Sequence, residues 1–425
     1  MSQEKLRKYF QFFLVVLAAG SIYPLIYLRG GYQETILQVF NMTNAQLNSM
    51  YTILGWVFVF GYIPSGILSD RFSAKKLLAM SLFFTGLGGL WFAQVPNYEF
   101  VMIIFAVWGF FSVFTFWSAH MKIVKLLATE KEQGTFFGVL DGGRGVVEAL
   151  LASLALFIFS GILGSSIEVI DKRAALIAVI YMYSFVLIIT SVLIWFFVQD
   201  DKKVLASDAV KKEALKSPAF KFSELGNLLK NKKVYLLGFI IFMGYAVFWT
   251  YYYLSWFLEV YVGIDPVSVA GTMVIVLWMR PVGGFIGGYL GDRIGRTTVQ
   301  MISLSGAAAC LIAISVIPVM GNQGLFQPLI VLLGIFLYAI RGTYWSLLGD
   351  LKLDALILGT AIGAVSFIGY LPDIILPQFN TFLWATFGDM GGFSAYFISS
   401  AILGLVGVVL VFVFRTIIKK EIKAN

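Results

Sequence analysis

The sequence predicts an all-α membrane protein: twelve transmembrane helices in two pseudo-symmetric six-helix bundles. Composition is the first reason. Of 425 residues, 59% are hydrophobic and 13% charged, and the mean hydropathy is +0.87. Soluble domains carry about 25% charged residues, and a bilayer accepts apolar surface that a soluble fold cannot hide. An internal repeat is the second reason. Gly66-Ile-Leu-Ser-Asp70-Arg71-Phe-Ser-Ala-Lys75-Lys76 and Gly288-Tyr-Leu-Gly-Asp292-Arg293-Ile-Gly-Arg296 lie 222 residues apart, each between two apolar runs. Trp56 and Trp278 keep that offset, as do Gly61 and Gly283, so the chain reads as two similar halves. Charge placement is the third. In the span assignment below, 25 of the 31 Lys and Arg fall in the termini and the loops of one side. Lys172 and Arg173 fall on the other side, and Arg29, Arg144, Arg280 and Arg341 lie inside spans. This positive-inside pattern makes both termini cytoplasmic.

The elements follow in order. Residues 1–8 are a short basic N terminus. The apolar run from Tyr9 has the length of a secretory signal, with small residues at Ala18-Ala19-Gly20, but the repeat needs it as a first span. Spans of at least the ~20 residues that cross a bilayer core are expected near 9–38, 46–68, 77–95, 99–121, 132–162, 174–198, 233–260, 267–290, 299–318, 325–347, 357–386 and 393–415. The N-terminal bundle is thus 1–198, a cytoplasmic linker 199–232, and the C-terminal bundle 233–425. The linker region is rich in lysine, and Ser207–Lys216 within it can form a surface helix at an anionic leaflet. Glycines crowd several spans, as at Gly283-Gly284 and Gly142-Gly143, where small residues let membrane helices approach closely.

The loop after the second span, G-x-L-x-D-R-x-x-x-K-K at Gly66–Lys76, resembles the signature of the major facilitator superfamily of transporters. The weaker copy at Gly288–Arg296 fits the same family. In physical terms, Asp70, Arg71, Asp292 and Arg293 can form a conformational latch, an acid pairing with basic residues and a helix N terminus. An ordinary solvated basic turn is the plainer alternative.

Charges inside spans cost about 2.5–3.5 kcal/mol each on insertion scales and so need a reason. Arg29 lies twelve residues before the polar turn at Asn41, about 18 Å from the span's end at ~1.5 Å per residue. Asp141, Arg144 and Glu148 share one helical face, either as a self-satisfied triad or as an arginine ready to exchange a carboxylate for an anionic substrate. Arg280 lies twelve residues before Asp292, and Asp373 takes the repeat position of Glu148 if Gly134 and Gly359 correspond. Glu259 and Arg341 read as interfacial or structural, and His120 as a residue of the cytoplasmic interface. Tyr62, Trp117 and Tyr251 are expected to line a site, with Tyr251-Tyr252-Tyr253 falling in mid-span.

Within the superfamily, Tyr27-Leu28-Arg29, Trp117, Lys131–Gly134 and Asp141–Gly145 resemble the organophosphate:phosphate antiporter group. That resemblance implies that Arg29 binds a substrate phosphate and that Arg144 occupies the place of a fifth-span histidine. The group's second phosphate-binding arginine falls near Ala246 and its second-span lysine near Tyr62, so the pattern departs there. Arg280-Pro-Val-Gly-Gly is similar instead to the eighth-span arginine of nitrate and some metabolite transporters.

The resulting expectation is secondary active transport of a small organic anion, of organophosphate or carboxylate type, by alternating access. Arg29, Arg144 and Arg280 would bind the substrate between the halves. Asp141, Glu148 or Asp373 would couple a proton; otherwise a counter-anion is exchanged. A proton-driven exporter of amphipathic compounds and a transporter-like membrane sensor are the alternatives. One cysteine and one histidine argue against a metal centre or a Ser-His-Asp triad. The absence of G-x-x-x-x-G-K-[ST] argues against an ATP-driven pump. The expected protein is a monomer without cofactor or nucleic-acid partner, in a bacterial inner membrane. If coupling runs through these acids, Glu148→Gln and Asp373→Asn change the pH dependence of uptake into vesicles. Unchanged transport and pH profile in both variants remove proton coupling from the scheme.

Overall fold

In a computed structural model, residues 3–128, 132–200, 232–351 and 355–424 are described, without the side chains of a few helical positions that include Asp70 and residues 133–135. The described residues contain no strand. Two compact units are present, Met1–Lys216 and Ser217–Asn425. The expected linker 199–232 and the surface helix at 207–216 lie almost wholly outside the described residues.

The first unit contains α1 (Gln3–Ile26), α2 (Arg29–Phe40), α3 (Asn44–Arg71), α4 (Ala74–Phe92), α5 (Tyr98–Gly109), α6 (Trp117–Leu127), α7 (Gln133–Leu163) and α8 (Val169–Phe197). The second contains α9 (Lys232–Phe248), α10 (Tyr251–Trp256), α11 (Pro266–Ile294), α12 (Arg296–Val316), α13 (Gln323–Tyr344), α14 (Ala355–Gly369) and α15 (Pro372–Ala424). Among the described residues, nine helical segments are long and apolar enough to cross a membrane. The spans expected at 46–68, 77–95 and 357–386 are helical as α3, α4 and α14 with the start of α15, but are not among those nine.

Local chemistry sets the helix ends. Thr43 and Gln46 form a capping box before α3, each side chain bonding the other's backbone N–H. Ser73 and Asn97 cap α4 and α5 by accepting from the backbone at Lys76 and Phe100. Asp265 caps α11 through the Ser268 N–H at 2.9 Å, and Pro266 follows it. Partial burial raises the Asp265 pKa, but the bonds from Ser268 outweigh it, so it lies below the ordinary value. At the turn after α2, Asn41 takes a left-handed conformation that returns two backbone bonds to the helix end.

Several expected spans are not continuous helices. The first passes through a turn at Tyr27-Leu28 and the seventh through one at Trp249-Thr250, the same position in the repeat, with Leu28 and Thr250 still near helical dihedrals and a kink at Tyr32 (φ −137°, ψ 30°). The fourth contains a π-helical stretch at Phe110–Phe114, and the seventh ends in another at Phe257–Val262. The eleventh breaks before Pro372, which places Asp373 in the first turn of α15. Proline disfavours helical geometry in the residue before it and tolerates the first helical turn. α15 is itself two helices joined across Gly388, whose φ of 71° suits glycine.

The repeat glycines serve close helix packing. A Cβ on Gly61 would lie 2.7 Å from the Phe114 ring, and one on Gly283 would lie 2.6 Å from the Ile335 carbonyl oxygen and 3.0 Å from Tyr338 Cβ. The second clash is with backbone and cannot be relieved by a rotamer change. Gly284, next in sequence, meets nothing within 4 Å. Gly283→Val is therefore expected to destabilise the protein by about 1–3 kcal/mol, while Gly284→Ala is neutral or nearly so. Thermal unfolding of the two variants in detergent checks this difference.

Candidate functional site

In the N-terminal unit, Arg29 is the first residue of α2, directly after the turn at Tyr27-Leu28. Arg29 is fully buried. Its Nε and Nη2 donate to Gln33 Oε1 at 3.2 and 2.9 Å, and Nη1 donates to Asn48 Oδ1 at 3.1 Å. Gln33 in turn donates to Asn44. The guanidinium lies 4.8 Å from the centre of the Tyr51 ring, whose hydroxyl donates to the Ile26 carbonyl at the helix break. Arg29 thus locks the broken first span to α3. This differs from the open, cavity-facing arginine that its mid-span position suggests.

Arg144 is held differently. Its Nε donates to Glu148 Oε1 at 3.1 Å, one helical turn away on α7. Its guanidinium packs over Tyr23 at 4.8 Å. The side chains of Arg144 and Glu148 retain 17% and 11% exposure, so this pair is not sealed as Arg29 is. A line of tyrosines joins the two arginines. Tyr23 meets Tyr27 at 6.4 Å, and Tyr27 stacks on Tyr51 at 5.6 Å, beneath Arg29. Each arginine therefore rests on one end of the same aromatic row, where the negative ring face favours a cation.

Trp117 and Tyr62 meet edge to face at 5.7 Å. His120 is buried, stacked on Phe116, with Nδ1 3.1 Å from that residue's carbonyl. Asp141 is exposed on α7.

In the C-terminal unit, Asp373 is buried and accepts two hydrogen bonds on Oδ1, from the Tyr245 hydroxyl at 2.7 Å and Trp249 Nε1 at 2.9 Å. Tyr245 meets Tyr370 edge to face at 4.9 Å, and Trp345 Nε1 donates to the Tyr370 hydroxyl at 3.1 Å. Tyr251 and Tyr252 are buried beside Phe248, and Tyr253 packs on Tyr396. Arg280 is half-buried on α11, and Glu259 lies in the π-helical end of the seventh span.

Of the expected latch, Arg293 stacks on Tyr289 at 4.5 Å, while Asp292 and Arg71 are exposed. The Asp70 side chain lies outside the described residues. Lys122 instead closes the end of α3, donating to the Ser69 carbonyl at 2.6 Å, as a cation at a helix C terminus should. Lys8 pairs with Glu132 at 2.5 Å, tying α1 to the start of α7.

Tyr23 and Tyr245 were not singled out in the sequence, yet each organises a charged cluster in its own unit. The two stand 222 residues apart, as do Tyr27 and Trp249. The repeat offset alone could have drawn attention to them. Among the described residues, no group of His, Cys, Asp and Glu could hold a metal ion.

The model of the Major Facilitator Superfamily matches residues 9–377. The chain belongs to this superfamily. Its fold agrees with solved superfamily structures. The bacterial homologue of the human lysosomal transporter Spinster aligns with a TM-score of 0.73 at 13% identity, over 99% of both chains. The inward-open xylose transporter XylE from E. coli aligns at 0.71 and 17% identity, over 96% of both. The nucleoside transporter NupG gives 0.67 and 14%, over 96% of this chain and 99% of that one. In sequence, the inner membrane protein YqcE of Escherichia coli is 26% identical over 88% of this chain and 87% of its own. The inner membrane protein YihN of the same organism is 27% identical over 86% and 85%. This superfamily member is an integral, multi-pass membrane protein, and its family and fold are those of transporters rather than enzymes.

The Arg29 cluster makes a stability prediction. Arg29→Ala leaves the Gln33 and Asn48 carbonyl oxygens without the guanidinium, at about 1–3 kcal/mol for each buried group left unsatisfied. Arg29→Ala should therefore lower the unfolding temperature of the unliganded protein more than Arg144→Ala does. Equal temperatures for the two would show that Arg29 is not a structural clamp.

Proposed function

We propose that this superfamily member is a secondary active transporter of a small organic anion, either proton-coupled or working by anion exchange. The observation that carries the reading is the Arg144–Glu148 pair: a guanidinium within a membrane span, seated on Tyr23, bonded to a carboxylate on its own helix and still partly exposed. Guanidinium groups stay charged when buried and bind carboxylate or phosphate in a bidentate manner. An incoming anion can replace Glu148 on Arg144, and the released carboxylate is then available to take a proton. Asp373 is the corresponding acid of the C-terminal unit, with Asp141 a further candidate.

The reading includes twelve spans in two six-helix bundles, 1–198 and 233–425, joined by a cytoplasmic linker at 199–232. Both termini are cytoplasmic, the protein works as a monomer, and the membrane is a bacterial inner membrane. Arg280 on α11 is a further anion contact, with Tyr62, Trp117 and Tyr251 lining the path. Arg29 acts as a contact only if substrate displaces Gln33 or Asn48. Asp70, Arg71, Asp292 and Arg293 act as the latch between conformations.

The Arg144–Glu148 bond also favours a second reading, in which the pair is purely structural and the aromatic residues serve an exporter of amphipathic compounds. A thermal-shift screen of purified protein separates the two. It covers inorganic and sugar phosphates, mono- and dicarboxylates, amino acids, and neutral and cationic amphiphiles, with Arg144→Ala beside wild type. Stabilisation by one anion class, lost in Arg144→Ala, is expected. Stabilisation by amphiphiles alone, unchanged in the variant, would replace the anion reading with the exporter.

A further inference from the structure

We propose that Arg341, on the tenth span, is a second anion-binding group and the counterpart in the C-terminal unit of Arg144. The inference rests on the anion-transport reading above and names a contact that the sequence pattern assigned to structure.

Arg341 lies one turn before the end of α13, where an arginine of purely structural role can extend to the interface. It does not do so. Its guanidinium lies 4.5 Å from the centre of the Phe248 ring and 5.9 Å from that of Tyr245, within the unit. Phe248 is the last residue of α9, immediately before the break at Trp249-Thr250. The guanidinium is therefore presented at the discontinuity of the seventh span, where the chain departs from regular helix.

The two units show the same design built from different parts. In each, an arginine lies near the ring of the same repeat tyrosine, Arg144 4.8 Å from Tyr23 and Arg341 5.9 Å from Tyr245, with Phe248 the nearer ring to Arg341. Each also places a carboxylate beside that group. Glu148 bonds Arg144 directly, whereas Asp373 accepts from the Tyr245 hydroxyl at 2.7 Å. The arginines come from non-equivalent helices, α7 and α13. Common descent of the halves therefore does not account for the match in position, and a shared demand for a cation on that tyrosine does.

Asp373 strengthens the assignment. Its Oδ1 already receives two hydrogen bonds from neutral donors, Tyr245 and Trp249, so the carboxylate does not depend on Arg341 for both of its bonds. Arg341 is only half-buried. Its guanidinium has five N–H donors in a planar fork, which can receive a carboxylate or phosphate edge-on.

The test is anion affinity, measured by thermal shift and by equilibrium binding on the full-length protein in detergent. The probes are inorganic phosphate, a sugar phosphate, malate and lactate, applied to wild type, R341Q and R341K. The expected result is that R341Q loses about tenfold or more in affinity for whichever probe stabilises wild type, as for a charged hydrogen bond removed. R341K, which keeps the charge without the fork, falls between. A purely structural arginine would lower the unfolding temperature without probe and leave the dissociation constant unchanged; that outcome overturns the proposal while the transport reading stands. If R341Q does not yield folded protein, R341K decides, and wild-type affinity in R341K overturns the proposal. If no probe binds wild type, the anion reading itself fails and this inference fails with it.

Discussion

Charge inside a membrane span has to be met by groups that the same fold supplies, and the placement of tyrosine in this protein follows from that demand. A guanidinium at depth is costly unless it faces protein groups or a water-filled cavity. Three arginines here rest on aromatic faces: Arg29 on Tyr51, Arg144 on Tyr23 and Arg341 on Phe248. The ring offers a negative face without adding a formal charge. It can therefore hold a cation in place without neutralising it, and an arginine so held remains able to bind an anion. An acid partner alone would satisfy the charge and leave less for a substrate.

Helix geometry makes those contacts possible. Residues four apart share one face of a helix, so Arg29 reaches Gln33 on α2, and its remaining donor reaches Asn48 on α3. The same four-residue spacing puts Tyr245 and Trp249 on one carboxylate oxygen of Asp373. Irregular backbone in a membrane protein survives only where neighbouring groups satisfy it, and here Tyr51 does so by donating to the Ile26 carbonyl. In the eleventh span, the break before Pro372 brings Asp373 to a helix start.

The two arginines of the N-terminal unit look alike in sequence and differ in structure. Both lie well inside apolar runs, and both sit beside glycines. Arg29 is fully enclosed and bonded to amides, which makes it a clamp for the broken helix. Arg144 keeps partial exposure and a carboxylate from its own helix, which suits a group whose partner can change. Aromatic rings connect them, so a change at Arg144 and the packing around Arg29 share one row of side chains.

The class of the protein is legible in linear order, because hydropathy, charge asymmetry and the loops Gly66–Arg71 and Gly288–Arg293 are properties of spacing along the chain. The sequence by itself also marked Arg29, Arg144, Glu148 and Asp373 as costly residues, since any ionisable group in an apolar run must have a reason. It did not reveal which of these charges are enclosed and which are open. Nor did it show that Arg341 belongs with Tyr245 and Asp373, or that His120 is buried. Those outcomes depend on where helices break and which faces meet. Residues 245, 341 and 373 are distant in the chain, and their meeting is decided by the packing of α9, α13 and α15, an arrangement that only tertiary structure supplies.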